Sequence, residues 1–567
     1  MAKEFPSYNY VVIGGGSAGC VVAARLSEDR TKTVLLLEAG PTDSDMRIDI
    51  PAAAPVLHGT RFDWAYKIEP QKNACLGFVN NSFPWVKGKV LGGSSSINYQ
   101  GYVRGHAADF DSWESQGCTG WAWKDVLQHF IKSEKNQRPE YSESKFHGTD
   151  GPLSVTDQIV RTPFARAFVD AGIELGYNEI DINDGKSTGF GFMQATINQG
   201  KRCSTSKAFL TPAKKRKNLT VRTNALVTKI DIVDKKAVGV YFQHQGKEYR
   251  VKVEREVILS AGTVASPQIL LLSGIGPKEQ LKQHGIDCIA DLPVGKNLQD
   301  HVFAMMSARC KPGSGLSTLK SVGSLLAKMK YIFLKKGPLS SNGLEATAFI
   351  TEEGTKDTSV VPDIQIMYLP FLIPMDTTKE EMAGFKSEEL QRCFLGLDSI
   401  TEDVTDVEGV TLLPVLLHPK SRGEIRLRST DPEDHPIIDP SFLDDPSDTD
   451  VLVKGLQQLR KLMETEAMRP FEFKLQNMQI PGVPNEEIEN LAEYVRHFTT
   501  CVYHCVGTCK MGAKDDPTAV VDPDLRVNGI DGLRVIDASI MPTITSGNTN
   551  APTIMIAEKG VHMIINQ

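Results

Sequence analysis

The chain has 567 residues, of which 41% are hydrophobic and 23% charged, and a formal net charge of -7 at pH 7. Because this length exceeds one ordinary hydrophobic core, two or more domains are expected. The negative charge argues against a nucleic-acid partner, and no apolar run reaches the ~18 residues of a membrane-spanning helix. Ten cysteines are too sparse for a disulfide framework. The N-terminal residues carry no export or organelle signal, so a reducing, cytoplasmic location is expected.

The first motif is a glycine-rich turn after an apolar run. The β-branched residues Val11–Ile13 predict a buried strand that ends in Gly14-x-Gly16-x-x-Gly19. The first glycine permits a tight turn, the second lets the backbone approach a pyrophosphate, and the third allows close packing of helix on strand. Ser17 and Ala18 open the following helix, whose free N–H groups favour phosphate.

An acid follows at the expected distance. A second predicted strand, Thr33 to Leu37, delivers Glu38 and Ala39. The offset of about 20 residues from the glycines suits a carboxylate that binds a ribose hydroxyl. The whole arrangement of strand, glycines, helix, strand and acid predicts a dinucleotide site.

A second small-residue stretch lies between residues 88 and 102. Two glycines followed by three serines, Gly92–Ser96, can form neither a stable helix interior nor a packed strand. Such a segment lets backbone N–H groups form a concavity against an anion or a flat ring. The flanking apolar residues Val90 and Ile97 argue against an ordinary surface loop.

These two stretches resemble the nucleotide fingerprint and first signature of the glucose–methanol–choline (GMC) oxidoreductase family, in particular its choline dehydrogenase-like members. Similar blocks follow in the family's order from residue 8 to about 565. They are Gly262–Gly276, Pro293–His301, Tyr503–Gly512, Leu533–Pro542 and Gly547–Lys559.

The resemblance implies an α/β fold (α+β overall) with a Rossmann-like FAD-binding domain interleaved with an antiparallel-sheet substrate-binding domain. The first domain would comprise residues 1–150, 200–310 and 505–567, and the second residues 151–199 and 311–504. Short buried strands are predicted at Leu219–Thr223, Val257–Gly262 and Leu533–Asp537. In the second domain, strand candidates Val410–Leu416 and Gly423–Leu427 suggest the antiparallel sheet, whereas Tyr368–Pro374 is interpreted as part of loops and lids.

The resemblance also implies which residues bind FAD. Some family members attach FAD covalently through a histidine in the first signature, where this chain has Ile97, so non-covalent FAD is expected. The positions that match the family's cofactor contacts are Gly14, Gly16, Ser17, Ala18, Gly19, Glu38, Ala39, Val90, Gly92, Gly93, Ser94, Asn98, Val227, Ala261, Asp537, Ala538, Asn548 and Thr549.

His504 and Asn548 occupy the positions of the family's catalytic pair. Oxidising an alcohol requires removal of its hydroxyl proton, for which an imidazole is well suited. An amide donor at Asn548 can hold the substrate oxygen without competing for that proton. His504 is therefore the expected base and Asn548 its partner.

Three further positions bear on the substrate, a small-molecule alcohol: Glu345, Met367 and Tyr503. Glu345 resembles the carboxylate that choline-oxidising members hold near a trimethylammonium group, but a structural acid is an equal alternative. Met367 stands where choline-type members usually carry a histidine, and its apolar side chain favours a more hydrophobic alcohol. Choline itself is therefore doubtful.

Other functions on the same scaffold remain open at this stage. A lyase resembling hydroxynitrile lyases and a photodecarboxylase would both use FAD without oxidising an alcohol. Neither the alcohol nor the electron acceptor, oxygen or a quinone-like carrier, follows from the sequence. The cysteines at 501, 505 and 509 surround His504, but no second Cys–His group completes a zinc set, so no metal is expected.

Overall fold

Two large β-sheets organise the fold, and the first contains the strands predicted around the glycine motif. In the computed structural model, the described residues are 2–186, 188–316, 318–372, 384–395, 406–484 and 487–567. The first sheet has seven strands, with Leu533–Val535 paired to the strand Lys247–Leu259. Apart from Leu533–Val535, the strands lie in the spatial order Leu219–Arg222, Val34–Leu37, Lys3–Ile13, Lys247–Leu259, Lys236–His244 and Ala225–Val233.

The centre of this sheet is parallel and buried on both faces. Val12 pairs in parallel with Leu36 on one side and Ile258 on the other. The helices Ser17–Leu26 and Asn550–Ile565 contact each other and belong to the same hydrophobic core. A strand covered on both faces needs apolar residues at consecutive positions, which explains the run at Val11–Ile13.

The second sheet has eight strands and is antiparallel throughout. Its central strands, Ile364–Leu369 and Gly409–Leu416, are buried at every residue. The remaining strands are Lys474–Leu475, Met306–Arg309, Ala346–Ile350, Gly189–Phe192, Val302–Phe303 and Thr500–Cys501. The predicted fold class, a Rossmann-like unit combined with an antiparallel sheet, is confirmed.

Smaller sheets and helices complete the described structure. A four-stranded sheet contains Gly101–Tyr102, Gln194–Ala195, Leu153–Asp157 and Glu134–Asn136, and the two-stranded sheets are Ile197–Asn198 with Lys201–Arg202, Glu424–Arg426 with Ile437–Asp439, and Tyr66–Lys67 with Pro84–Trp85. The α-helices are Ser17–Leu26, Met46–Asp49, Ala107–Ser115, Trp123–Ser133, Pro163–Glu174, Thr211–Ala213, Gly262–Leu272, Lys278–Gln283, Leu319–Val322, Leu325–Leu334, Glu388–Leu395, Pro446–Met463, Glu487–Phe498 and Asn550–Ile565. Of the helices in the described parts of the chain, none combines the length and apolar character needed to cross a membrane.

Two local predictions are wrong. Tyr368 and Leu369 end a central strand rather than belonging to a loop or lid, while residues 373 and 374 of the same predicted segment lie outside the described residues. The strand Glu424–Arg426 forms, but it pairs only with Ile437–Asp439 and not with the eight-stranded sheet. The first error concerns where a strand ends and the second concerns its partner, and both depend on pairing with distant parts of the chain.

The strands at 302–309 bear on the predicted domain boundary. Val302–Phe303 and Met306–Arg309 pair with Gly409–Leu416 in the antiparallel sheet. The expected boundary at residue 310 had assigned them to the FAD-binding segments. Their hydrogen bonding instead associates them with the second sheet.

Candidate functional site

A cavity between the two sheets brings together the glycine turn and the C-terminal catalytic candidates. Its lining includes Gly14 and Ala261 from the first sheet's turns, Met367 from the second sheet, and both His504 and Asn548. The other predicted cofactor and substrate residues that line it are Gly16, Ser17, Ala18, Glu38, Ala39, Gly93, Ser94, Asn98, Val227, Asp537, Ala538, Thr549 and Tyr503. Residues as far apart in sequence as Ile13 and Thr553 therefore share one cavity.

The backbone around the glycine turn is packed so closely that side chains would not fit there. Gly14 has a φ of +94°, and a Cβ on it would lie 2.5 Å from the Ser260 carbonyl oxygen. A Cβ on Gly19 would lie 1.8 Å from the Gly14 carbonyl oxygen. A Cβ on Gly93 would meet the Gly16 backbone at 2.6 Å. The two small-residue stretches thus form one cradle of exposed backbone.

Glu38 lines the cavity with its carboxylate held by backbone N–H groups. Its Oε2 accepts a hydrogen bond of 2.7 Å from Gly15 N, and its Oε1 accepts one of 2.7 Å from Gly40 N. Burial raises the pKa of Glu38 to about 7, against the opposing effect of these N–H donors. Each carboxylate oxygen has a second lone pair, so the group can still accept a hydroxyl.

Three predicted cofactor residues do not line the cavity. Gly19 lies behind the turn, where it allows the helix to pack on the strand. Val90 is fully buried in a small apolar cluster with Ile97 and Leu57. Gly92 supports the loop through a 2.7 Å hydrogen bond from its N to Gly15 O. These residues shape the cradle from outside it.

At the other end of the cavity, three side chains form a hydrogen-bonded chain. His301 Nε2 lies 3.0 Å from the Leu417 carbonyl oxygen, and His301 Nδ1 lies 3.0 Å from His504 Nδ1. His504 Nε2 lies 3.1 Å from Asn548 Nδ2. Because a carbonyl only accepts, His301 carries its proton on Nε2 and its Nδ1 accepts from His504. His504 therefore presents an unprotonated Nε2, which accepts from the Asn548 amide.

The backbone at residues 503 and 504 is held by the buried carboxylate of Asp300 and the partly buried ammonium group of Lys87. Asp300 Oδ1 accepts a 2.7 Å hydrogen bond from His504 N, and Lys87 Nζ donates to the Tyr503 carbonyl oxygen at 2.6 Å. Tyr503 has a left-handed φ of 63°, a strained conformation for a non-glycine residue. Such strain persists only where the surroundings enforce it, and these two contacts fix the direction of the imidazole.

Burial keeps the imidazole of His504 neutral. Desolvation, assisted by the positive charge of Lys87, lowers the pKa of His504 from 6.5 to about 3. His301 is fully buried, and its pKa is lowered as well, first by burial and then by its neighbour His504. At neutral pH both rings are therefore uncharged, and His504 Nε2 is available as a base.

Glu345 is not brought into the cavity. It is 2% exposed, and its Oε2 accepts hydrogen bonds from Thr162 Oγ1 at 2.7 Å and from the Tyr368 hydroxyl at 3.3 Å. Both of its oxygens also accept from Thr162 N at 3.1 Å. Of the two alternatives for this residue, the geometry fits the acid that bridges elements rather than a substrate ligand.

Much of the cavity wall is apolar. Met367 is 5% exposed and lines the cavity from the second sheet. Other apolar and aromatic lining residues, which sequence reasoning did not single out, are Trp64, Tyr66, Phe83, Tyr99, Phe303, Met305, Leu344, Leu369, Phe394 and Leu413. They come from many separate segments, so no local motif could have identified them.

Sequence reasoning also did not identify three polar residues as part of the site. His301 and Asp300 end the family-like block Pro293–His301, and Lys87 precedes the block at 88–102. The signal that could have found them is their position inside or beside those blocks. Their contacts with residues 503 and 504, however, span more than 200 positions and are visible only in the fold.

The cavity fits FAD in its polar features. Asn548 Oδ1 is a buried oxygen without a hydrogen-bond partner among the described residues, so it awaits a donor. The N-terminal ends of two helices, Ser17–Leu26 and Asn550–Ile565, contribute lining residues, and such ends favour negative charge. Together with the glycine cradle and Glu38, they suit a dinucleotide with a ring that accepts negative charge. Within the described residues, no three His, Cys, Asp or Glu side chains form a group that could hold a metal ion.

Comparison with known proteins gives concordant matches over the whole chain. Residues 8–303 and 419–557 match two family models, both described as GMC oxidoreductase. An alcohol dehydrogenase [acceptor] of Pseudomonas putida is 39% identical over 99% of this chain and 96% of its own length. The mitochondrial choline dehydrogenase of Homo sapiens is 38% identical over 99% of this chain and 90% of its own length.

A similar solved structure is the pyridoxine 4-oxidase from Mesorbium loti. It superposes with a TM-score of 0.83 at 29% identity, covering 99% of this chain and 100% of that one. The similarity therefore extends to the arrangement of both sheets around the cavity.

Proposed function

The chain belongs to the GMC oxidoreductase family of FAD enzymes, and from that premise we propose that it oxidises an apolar alcohol to the aldehyde or ketone, with His504 as general base. The observation that carries this proposal is the hydrogen-bonded chain His301–His504–Asn548. It presents an unprotonated imidazole nitrogen and an amide oxygen without a hydrogen-bond partner among the described residues, in a cavity whose wall is largely apolar.

The glycine cradle and its surroundings are proposed to hold the cofactor. When bound, FAD supplies the two-electron acceptor for the hydrogen on the carbinol carbon. The backbone around Gly14, Gly16 and Gly93 suits the pyrophosphate, and Glu38 suits a ribose hydroxyl. Ile97 replaces a nucleophilic side chain at the position of covalent attachment, which supports non-covalent binding.

His504 is proposed to remove the hydroxyl proton of the substrate. Its Nε2 is unprotonated at neutral pH, and its Nδ1–H donates to His301. When Nε2 takes a proton, the positive charge that develops is shared along this hydrogen bond. Asn548 Nδ2 is placed to donate to the substrate oxygen as its negative charge grows. Proton removal and charge stabilisation thus come from neighbouring side chains.

The substrate is proposed to be uncharged and hydrophobic. Among the described lining residues, the carboxylates are Glu38 and Asp537, and both already accept backbone N–H groups. Glu345 is engaged by Thr162 outside the cavity. With Glu38 assigned to the cofactor and Asp537 bonded to backbone N–H groups, no carboxylate among the described lining residues is assigned to a quaternary ammonium group.

The domain division and location are also proposed. We assign 1–150, about 200–301 and 505–567 to the FAD-binding domain, with the boundary moved from 310 because Val302–Phe303 and Met306–Arg309 pair in the second sheet. All ten cysteines are free thiols, which supports a reducing compartment such as the cytoplasm. The acceptor is proposed to be oxygen or a quinone-like carrier.

Anaerobic mixing with a panel of aliphatic, aryl, sugar and amino alcohols tests the function. An aliphatic or aryl alcohol should bleach the flavin absorbance, and choline should do so far more slowly. A lyase would consume its substrate without bleaching, and that result would refute the proposal. Acid precipitation should release the flavin into the supernatant, whereas flavin retained on the protein would refute non-covalent binding. Repetition with air and with a soluble quinone identifies the acceptor.

A further inference from the structure

One surface helix, Leu325–Leu334, exposes most of its apolar side chains to solvent. Phe333 is 75% and Leu325 is 74% exposed. Leu326, Leu334, Ile332 and Met329 are all exposed by about half or more. Only Ala327 and Tyr331 of this helix are buried. An exposed apolar patch of this kind on a folded protein marks an interaction surface.

The apolar residues form one continuous face that points away from the protein. At about 100° per residue, Ile332, Leu325, Met329, Phe333 and Leu326 fall within an arc of roughly 120°. Ala327 and Tyr331 lie opposite the centre of that arc, against the protein. The outward direction is therefore apolar at every position, the reverse of an ordinary surface helix.

Lysines border this apolar face on both sides. On the same helical projection, Lys328 flanks one edge of the arc and Lys330 the other. Five lysines and no acidic residue occur between Leu319 and Gly337. Lys328, Lys330 and Lys336 are exposed and form no ion pair with a described residue. The face therefore combines exposed apolar side chains with positive charges that no described acid neutralises.

A basic cavity adjoins the end of the helix. Lys335 lines it together with Lys135, Lys201, Lys207 and the buried Arg202, while Asp49 is the acid among its described lining residues. Arg202 is 3% exposed, and its Nη2 has no hydrogen-bond partner among the described residues. Burial lowers the pKa of Arg202 to about 9, against the opposing effect of Asp49 and Tyr331. This cavity suits an anionic group such as a phosphate.

We propose that this helix docks the protein onto an anionic phospholipid surface. The apolar arc would lie among the acyl chains, the flanking lysines at the headgroup level, and a lipid phosphate in the basic cavity. Amphipathic helices with a lysine-rich border bind membranes in this orientation. Each cation held near an anionic leaflet adds to the attraction.

The charge pattern disfavours a second copy of the chain as the occupant. A two-fold contact through this face would bring Lys328 and Lys330 of one copy close to the same residues of the other. Like charges at such a contact repel, and the interface offers no acid between Leu319 and Gly337 to offset them. The anionic lipid surface satisfies both features of the helix.

Co-sedimentation of the holoenzyme with lipid vesicles tests the proposal. Wild type should bind vesicles of phosphatidylcholine mixed with phosphatidylglycerol and should not bind phosphatidylcholine alone, and high salt should weaken binding. Phe333→Asp should lower the affinity at least about tenfold, since it removes the aromatic side chain that would lie among the acyl chains. Ile488→Asp is the matched control, because Ile488 is 68% exposed on a different helix.

A second variant separates the charge contribution. The combined change Lys328→Gln, Lys330→Gln and Lys336→Gln should lower the affinity on the order of 100-fold while leaving flavin absorbance and turnover with a soluble acceptor unchanged. Equal binding to both vesicle types, or no binding by wild type, would overturn the proposal. So would a wild-type dimer that ignores vesicles and becomes monomeric in Phe333→Asp, since that assigns the face to a second copy.

Discussion

The polar groups around His504 and those around Glu345 lie in the same protein interior, yet they differ in bonding capacity. In the first group, and among the described residues, Asn548 Oδ1 has no hydrogen-bond partner and His504 Nε2 accepts from the Asn548 amide alone. In the second, both oxygens of Glu345 are occupied by Thr162, and Tyr368 adds another hydrogen bond. The first group faces the cavity and the second does not.

We interpret this difference as separating the proposed reactive site from a structural contact. A buried polar atom that the protein leaves unsatisfied carries a free-energy cost, which persists where a ligand supplies the missing partner. A carboxylate whose two oxygens both accept hydrogen bonds from neighbouring segments instead stabilises the contact between those segments. Family resemblance indicated His504 as the base but left Glu345 between a substrate ligand and a structural acid, and the hydrogen bonds of Glu345 favour the structural alternative.

The largest effect is expected from His504→Ala. The change removes the base while leaving the glycine cradle intact, so the protein should stay yellow and folded. Flavin reduction by the best alcohol should slow on the order of 1000-fold, within the usual range for general-base catalysis. Stopped-flow absorbance measures this rate, and a variant that reduces its flavin at the wild-type rate would exclude His504 as the base.

Asn548→Ala is expected to have the next largest effect. It removes the amide that hydrogen-bonds to His504 Nε2 and is placed to stabilise the substrate oxygen. Flavin reduction should slow on the order of 100-fold, comparable with the loss of one donor to a developing negative charge. Asn548→Asp is the matched control, since it keeps the size but loses the donor. Similar losses in both variants are expected, and full activity in Asn548→Asp would contradict the donor role.

His301→Phe should have a moderate effect because His301 acts through His504. The phenyl ring cannot accept from His504 Nδ1, so the imidazole loses the contact that fixes its tautomer. The rate of flavin reduction should fall about tenfold, the equivalent of one hydrogen bond. In His301→Asn, the amide oxygen can replace the acceptor and should restore part of the rate. An unchanged rate and pH profile in His301→Phe would contradict this positioning role.

The buried histidines also predict a dependence of stability on pH. The pKa of His504 is about 3 in the folded protein and 6.5 in a free side chain, so the unfolded state binds more protons between these values. Stability from this group is fully present above pH 6.5 and is lost as pH falls towards 3. Between pH 6.5 and 5, wild type should lose up to about 1.4 kcal/mol per pH unit more than His504→Gln. Parallel curves from denaturant titrations of the two flavin-bound proteins would show that His504 is not kept neutral by burial.

The smallest effect on activity is expected from Glu345→Gln. The amide nitrogen cannot accept from Thr162, so the free energy of unfolding should fall by about 1–3 kcal/mol. The rate of flavin reduction and the order of preference among alcohols should change by less than about twofold, since one lost structural hydrogen bond lies outside the cavity. A large, selective loss of activity with amino alcohols would show that Glu345 binds the substrate and would contradict its assignment as a structural acid.

Predictions from short sequence segments succeeded where the cause is local. The strand at Val11–Ile13, the glycine turn after it and the helix from Ser17 form as expected, because a buried parallel strand and a tight turn each restrict nearby residue types. Glu38 also lines the cavity, since its position is fixed by the strand that precedes it.

Predictions that required distant partners were less complete. The strand at 424–426 was predicted correctly, but its sheet was not, because the sequence of a strand does not determine its pairing partner. His301 was part of a recognised block, yet its role depends on His504, 203 positions away.

The sequence by itself determined the dinucleotide motif, the family and the two candidate catalytic side chains, because each is encoded in a short run of residues with restricted chemistry. Only the tertiary structure decided that His301 forms a hydrogen bond with His504, that Thr162 donates to Glu345, and that Leu325–Leu334 exposes its apolar face. These properties depend on which distant segments pack together and on which polar atoms remain without a partner. Both follow from packing of the whole chain, not from any single segment.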